Sequence, residues 1–185
     1  DFVNALKPNT KLVILSHASN IIGSIQPLEA IGKICKKKDI FFIIDVAQTA
    51  GVLPIDFYKL NCNALAFTGH KSLLGPQGTG GFLIDDKLNE ICSSFIEGGT
   101  GSISSSIDQP TFLPDKFESG TLNAPGIAGL LEGINYINAQ GIDCIRENEE
   151  YLCKNFIEGL LNISSINVYG NTCASTRTAT ISINS

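Results

Sequence analysis

Two short, almost wholly apolar runs, Lys11 to Ser16 and Ile40 to Val46, flank a stretch from Pro27 to Lys38 whose apolar residues recur at helical spacing. Such runs read as buried strands, and a helix between two of them is the crossover that parallel pairing requires. Pro27 suits the first turn of that helix, where its missing N–H is no loss. The chain is thereby committed early to a βαβ unit. Two further apolar runs follow, Asn63 to Thr68 and Gly80 to Ile84, the second entered through the flexible Gly75-Pro76-Gln77-Gly78-Thr79-Gly80-Gly81. The pattern predicts an α/β architecture, a mixed and mostly parallel sheet with helices on both faces.

Beyond it, Gly98 to Ser106 reads as a Gly/Ser loop and Pro110 to Ser119 as irregular. Asn123 is placed to cap a helix running to about Asn138, with Pro125 at its start and Gly141 past its end. Asp143 to Leu161 has helical spacing of Ile145, Tyr151, Leu152, Phe156, Leu160 and Leu161, predicting that these face inward while Arg146, Glu147, Glu149 and Glu150 face water. Ile163 to Tyr169 and Thr178 to Ile183 look like strands of a new unit. We expect residues 1–140 to form a large domain and residues 141–185 to begin a smaller α+β one.

At 185 residues, 43% hydrophobic and 17% charged, the chain can bury a core of its own. A net charge of −5, with no basic cluster larger than Lys36-Lys37-Lys38, argues against nucleic acid as a partner. The six cysteines show no C-x-x-C pair, which reads as reduced, intracellular thiols in a cytoplasmic protein. The densest apolar run stops at Asp45, far short of the roughly 20 residues a membrane span needs, so no membrane association is expected. The first residues, Asp1-Phe2-Val3, include no initiator Met and read as the start of a piece of something longer.

Chemistry concentrates at two strand ends. Phe67-Thr68-Gly69-His70-Lys71-Ser72 places an amine just past one apolar run, and Asp45 closes another, 26 positions earlier. In open α/β sheets ligands collect at the carboxyl ends of strands. A carboxylate ending a buried strand is costly unless paired with a cation. Pyridoxal phosphate needs a lysine for its aldehyde, an acid for its ring nitrogen and donors for its phosphate, and this chain offers each of them.

The order of these residues resembles the class V aminotransferase and cysteine desulfurase family of fold-type I pyridoxal-phosphate enzymes. Five ordered motifs carry the resemblance: Ser16-His17-Ala18-Ser19-Asn20, Asp45-Val46-Ala47-Gln48-Thr49-Ala50-Gly51, Thr68-Gly69-His70-Lys71, Gly75-Pro76-Gln77-Gly78-Thr79-Gly80 and Phe117-Glu118-Ser119-Gly120-Thr121. The resemblance implies that Lys71 bonds the cofactor aldehyde, Asp45 pairs with the pyridine nitrogen and Gln48 hydrogen-bonds the phenolic oxygen. It implies that Asn20 lies near that oxygen and the substrate carboxylate, and that Thr68 and His70 hold the phosphate. Thr100 matches a position reaching the phosphate of a partner subunit, so a homodimer is implied too. The family's Gly-rich phosphate loop and ring-stacking aromatic have no counterpart before Asp1. Its nucleophilic Cys and substrate Arg would lie beyond Ser185.

The long Gly98 to Thr121 segment looks most like the desulfurase branch, which implies cysteine as substrate, alanine and enzyme-bound sulfur as products, and a sulfur-acceptor protein as a further partner. Transamination or another lyase reaction on an amino acid is the alternative, and a non-catalytic association module is an alternative of another class. Taken singly, Lys71 reads as a solvated turn residue and Asp45 as a turn former; only their joint pattern points to a site. His17 reads as structural, its ring satisfied by nearby backbone. The glycines of Gly78-Thr79-Gly80-Gly81 lead into a strand and not a helix, against a dinucleotide loop, and His70 stands where a Walker loop has Gly. Paired Cys/His spacing for zinc is lacking, and a Cys–His nucleophile would need Cys62 or Cys92 to meet His70.

Overall fold

The computed structural model describes residues 1–103 and 105–185; Ser104, within the expected Gly98 to Ser106 loop, lies outside the described residues. A short helix α1 (Phe2–Ala5) precedes β1 (Leu12–Ser16), α2 (Leu28–Lys37), β2 (Phe41–Asp45), β3 (Ala64–Thr68), β4 (Gly80–Ile84) and α3 (Asp86–Ile91). Two long helices follow, α4 (Ala124–Gln140) and α5 (Ile142–Leu161), then β5 (Asn167–Tyr169) and β6 (Ser182–Asn184). The strands β1 to β4 form one sheet in that order, parallel except for antiparallel β4, and β5 and β6 pair antiparallel in a second.

Helix α2 forms because Leu28, Ile31 and Cys35 recur on one stripe, and that stripe is buried. It meets Phe42 and Ile44 of β2 and Leu65 of β3, in a core that also holds Ile40, Val46, Leu60 and Cys62. Phe42, Ile44 and Cys35 are fully shielded, which fixes β2 as the central strand. Lys36 and Lys37 in the last turn of α2 oppose the negative end of its dipole.

The mixed, mostly parallel sheet with helices agrees with the expected class. The register places Ile14, Ile43 and Ala64 abreast, so Leu12, Ile14, Ala66 and Phe82 share the face opposite α2. That face is open: Ile14 is 62% exposed. Helices α4 and α5 do not cover it, because α4 lies along the loop after β3, where the positions of Gly133 and Gly75 let its backbone and Leu130 close on Leu73, Leu74 and Gly69.

Helix α4 begins and ends as its caps require. The Asn123 side chain accepts the N–H of Gly126, Pro125 sits in the first turn, and Gly141 at φ 84° stops the helix. The last two strands are shorter than their apolar patterns predict. Residues 163–166 instead finish α5 with turn bonds to Leu160 and Ile163, and Ala174–Thr176 forms a 3-10 turn.

The buried face of α5 is only partly the expected one: Leu160 is buried and Ile145 half-buried as expected, but the rest of the face differs. Arg146, Cys153, Ile157 and Leu160 point inward, whereas Tyr151, Leu152, Phe156 and Leu161 are more than half exposed. The reason is Arg146. Its guanidinium is 8% exposed yet fully engaged, donating to the carbonyls of Ala174, Ser175 and Arg177 and pairing with Glu149 and Glu150. A charge with that many partners can be buried, and it turns its whole stripe toward β5 and β6. Ile157→Ala should therefore destabilise the chain by about 2–4 kcal/mol in chemical denaturation, and Tyr151→Ala by under about 1 kcal/mol; the expected inward face would give the opposite ranking.

Candidate active site

Parallel pairing puts the carboxyl ends of β1, β2 and β3 on one sheet edge. Ser16 stands opposite Asp45, and Asp45 opposite Ala66. Pairing continues just past the strands, with the N–H of His17 donating to the Asp45 carbonyl at 2.8 Å and that of Val46 to the Ala66 carbonyl at 2.9 Å. Asp45 and Thr68 close β2 and β3 at this edge, and the three loops that leave it carry the other predicted site residues except Thr100.

Asn20, Asp45, Gln48 and Lys71 line a single open cavity of about 580 Å3. Ser16, Ser19 and Gln26 line it as well. The loop bearing Lys71 is closed on itself, with Gly75 N–H donating to the Gly69 carbonyl at 2.7 Å and Leu74 N–H to the Lys71 carbonyl at 2.9 Å. It is also held from the β2 side: Gly51, at φ 90°, lies so close that a Cβ would stand 2.3 Å from the Ser72 carbonyl oxygen. Only glycine permits that approach, which sets the two loops face to face.

Asp45 corrects the desolvation argument made from sequence. It ends a strand whose neighbours are buried, but its own side chain is exposed, and Oδ1 accepts the Ala47 N–H at 2.8 Å. The turn after β2 fixes its orientation while leaving it open to the cavity. Thr68 and His70 meet each other, Oγ1 to Nδ1 at 2.9 Å, directly after β3 and beside Lys71. Thr100 does not join this cluster. It lines a separate cavity of about 230 Å3 within the Gly98 to Pro110 loop, its hydroxyl 3.3 Å from that of Ser102.

His17 is buried and structural, though its ring partner is a side chain and not backbone: Nδ1 shares a 2.9 Å hydrogen bond with Thr49 Oγ1. Thr49 is itself fully buried and directs its hydroxyl to the Val46 carbonyl at 3.3 Å. The pair ties the β1 loop to the β2 loop beneath the cavity. Cys62 precedes β3 and His70 follows it, so the strand separates them and no thiol–imidazole pair forms there.

Sequence reasoning missed Ser19. Its hydroxyl accepts the N–H groups of Ile21 and Ile22, both at 3.2 Å, and so shapes the turn that carries Asn20. The signal was present as Ser-Asn shortly before Gly23. An amine, a carboxylate and carboxamides around one open cavity form a donor set suited to an aldehyde-bearing, protonatable heterocycle.

The family model described as Aminotransferase class-V matches residues 1–185. The chain belongs to the aminotransferase class-V family. Families of this kind depend on pyridoxal phosphate. Among its relatives are a probable cysteine desulfurase of Pyrococcus abyssi, 39% identical over 81% of this chain and 38% of the relative, and one of Borreliella burgdorferi, 37% identical over 88% of this chain and 40% of the relative. The apo structure of a cysteine desulfurase from Thermococcus onnurineus superposes with a TM-score of 0.85 at 33% identity, over 95% of this chain and 44% of that one. The chain thus spans about two-fifths of the length of the curated relatives it matches. No helix among the described residues is long and apolar enough to cross a membrane.

Burial holds the His17 imidazole pKa down at about 4, against an ordinary 6.5. Between those values the unfolded chain takes up a proton that the folded chain refuses, so stability falls as pH drops through 6.5 toward 4 and is independent of this group above it. His17→Gln should flatten that part of the stability curve, measured by urea unfolding at stepped pH; an unaltered slope would remove His17 as its source.

Proposed function

We propose that this chain supplies the cofactor-holding part of a pyridoxal-phosphate-dependent cysteine desulfurase, acting on L-cysteine to give L-alanine and enzyme-bound sulfur. The observation that carries the reading is the gathering of Asn20, Asp45, Gln48 and Lys71 around one cavity at the carboxyl edge of the sheet, in a chain whose relatives include probable cysteine desulfurases. When bound, pyridoxal phosphate supplies an electron sink for charge developed on the amino acid.

In this reading Lys71 is the amine that bonds the cofactor aldehyde and later moves protons at the substrate's α-carbon. Asp45 keeps the pyridine nitrogen protonated, and its bond from Ala47 N–H holds the carboxylate in one orientation for that task. Gln48 hydrogen-bonds the phenolic oxygen, and Asn20 lies near that oxygen and the substrate carboxylate. Thr68 and His70 hold the phosphate, and their mutual hydrogen bond sets both for it. Thr100 lies apart from these groups, which is compatible with reaching the phosphate of a second subunit in a homodimer. Residues 1–140 form the large domain and residues 141–185 begin the small one. A cytoplasmic setting and a sulfur-acceptor protein belong to the same reading, the former supported by six cysteines that are all unpaired.

The test is product analysis of the full-length protein loaded with pyridoxal phosphate. Cysteine should yield alanine and sulfide, and Lys71→Ala should abolish both together with the visible absorption of the bound cofactor. Amino transfer that depends on a keto acid would assign the aminotransferase reaction instead, and failure to bind the cofactor at all would favour an association module. Asp45→Asn should lower kcat on the order of a hundredfold or more while changing cofactor affinity far less, because it removes ring protonation and little contact area. Unchanged turnover would take that role from Asp45.

A further inference from the structure

We propose that Arg146 is a positioning residue for Asn20, acting across the molecule through the main chain of the Cys173 to Thr178 turn. The inference rests on the reading that Asn20 belongs to the cofactor site. Asn20 sits at the tip of a loop, Ser19 to Ser24, that closes on itself through Ser19 N–H to the Ser24 carbonyl at 3.0 Å and Gly23 N–H to the Ser19 carbonyl at 3.1 Å. Those bonds shape the loop, and Gln26 N–H donating to the His17 carbonyl at 2.8 Å ties its base to the end of β1, which leaves its tip to be anchored from elsewhere.

The anchor comes from the far end of the chain. Ile25 N–H donates to the Thr176 carbonyl at 3.1 Å, Thr178 N–H to the Gly23 carbonyl at 2.9 Å, and Ser182 Oγ to the Ile21 carbonyl at 2.6 Å. The approach is so close that a Cβ on Gly23, itself at φ 72°, would lie 2.5 Å from the Thr180 carbonyl oxygen. The loop carrying Asn20 is therefore laid against a turn more than 150 residues away, as the 155-residue separation of Thr178 and Gly23 records.

Asn171 and Thr176 tie that turn locally, Cys173 N–H donating to Asn171 Oδ1 at 2.9 Å and Asn171 Nδ2 to Thr176 Oγ1 at 2.7 Å, and two arginines hold it as well. Arg177, fully buried, donates inward to the carbonyls of Asn171, Thr178 and Thr180. Arg146 holds it from α5, with Nη1 on the Arg177 carbonyl at 2.9 Å and Nη2 on those of Ala174 and Ser175 at 3.1 and 3.2 Å. Glu150 at 2.7 Å and Glu149 at 3.2 Å keep the guanidinium in that plane. A single planar fork thus bonds three carbonyls of the turn that bears the Asn20 loop. Lysine retains the charge but has neither the fork nor the reach to bond all three.

The test is a pair of measurements on the full-length protein for Arg146→Lys, Asn20→Ala and the double variant. Amide hydrogen exchange of the cofactor-free protein should quicken by roughly tenfold or more at Ile25 and Thr178 in Arg146→Lys, and stay unchanged at Val46 inside the sheet edge. The Kd of pyridoxal phosphate should rise several-fold in Arg146→Lys, but by nothing further when Asn20 is already alanine, the signature of one residue acting through another. Unchanged exchange at Ile25, equal quickening at Ile25 and Val46, or additive effects on Kd would each overturn the proposal. Should Arg146→Lys fail to fold, Ser182→Ala removes one loop anchor without touching either arginine and should give the same non-additivity with Asn20→Ala. If the unaltered protein binds no pyridoxal phosphate, the site reading fails, and the exchange measurement still decides whether Arg146 holds the loop.

Discussion

The parallel register of β1, β2 and β3 is the constraint on which the rest depends. Because the strands run the same way, each ends at the same edge; the connections after β1 and β2 must return to the opposite edge, while that after β3 turns back into antiparallel β4. Three loops therefore leave together from Ser16, Asp45 and Thr68. Antiparallel neighbours would have sent alternate loops to opposite ends, and the amine and carboxylate could not share a cavity. The burial of Phe42 and Ile44 against α2 fixes which face β2 presents, so it also decides that Asp45, one residue further on, points to the other.

Around the cavity the loops are joined to each other as well as to the sheet. His17 and Thr49 share a buried hydrogen bond between the first two loops, and Gly51 packs against Ser72 between the second and third. These contacts are polar or backbone contacts, rigid in direction, where apolar packing would allow sliding. A site that must hold a ring in one orientation gains from that rigidity, since positioning errors of a fraction of an ångström matter to chemistry. The neutral state of His17 follows from the same burial, and it lets the ring serve as a strut without introducing a charge beside Asp45.

What could be read from the sequence followed interaction range. Strands, α2 and the caps of α4 rest on neighbours within a few positions, and their limits are legible as apolar runs, Asn123 and Gly141. Asp45 and Lys71 were legible as residues that close or follow strands, whereas Asn20 and Gln48 rested on the order of motifs that resembles the family; all four line one cavity. The inward face of α5 was not, since periodicity counts Arg146 as a surface residue and cannot see the carbonyls of Ala174, Ser175 and Arg177 waiting for it. Nor was the exposure of Asp45, because burial of a strand says nothing about the residue where it meets a cavity.

Arginine 146 also bears on how the proposed boundary near residue 140 should be understood. Helix α5 lies beyond that boundary, yet its guanidinium holds a turn that is hydrogen-bonded to the loop after β1. The boundary thus divides topology, one sheet from the other, without dividing the mechanics of the cavity. A motion of α5 and its two strands relative to the first sheet would draw on the Ile25, Thr178 and Ser182 hydrogen bonds before it disturbed any strand. Those three bonds reach the cavity through the Asn20 loop, whereas Asp45 ends β2 and the Lys71 loop is held by α4. Displacement at those bonds therefore reaches the site through Asn20, while a second route runs from α5 to the other loops, since its Cys144, Ile145 and Asn148 share a cavity with Gly51 and Ser72.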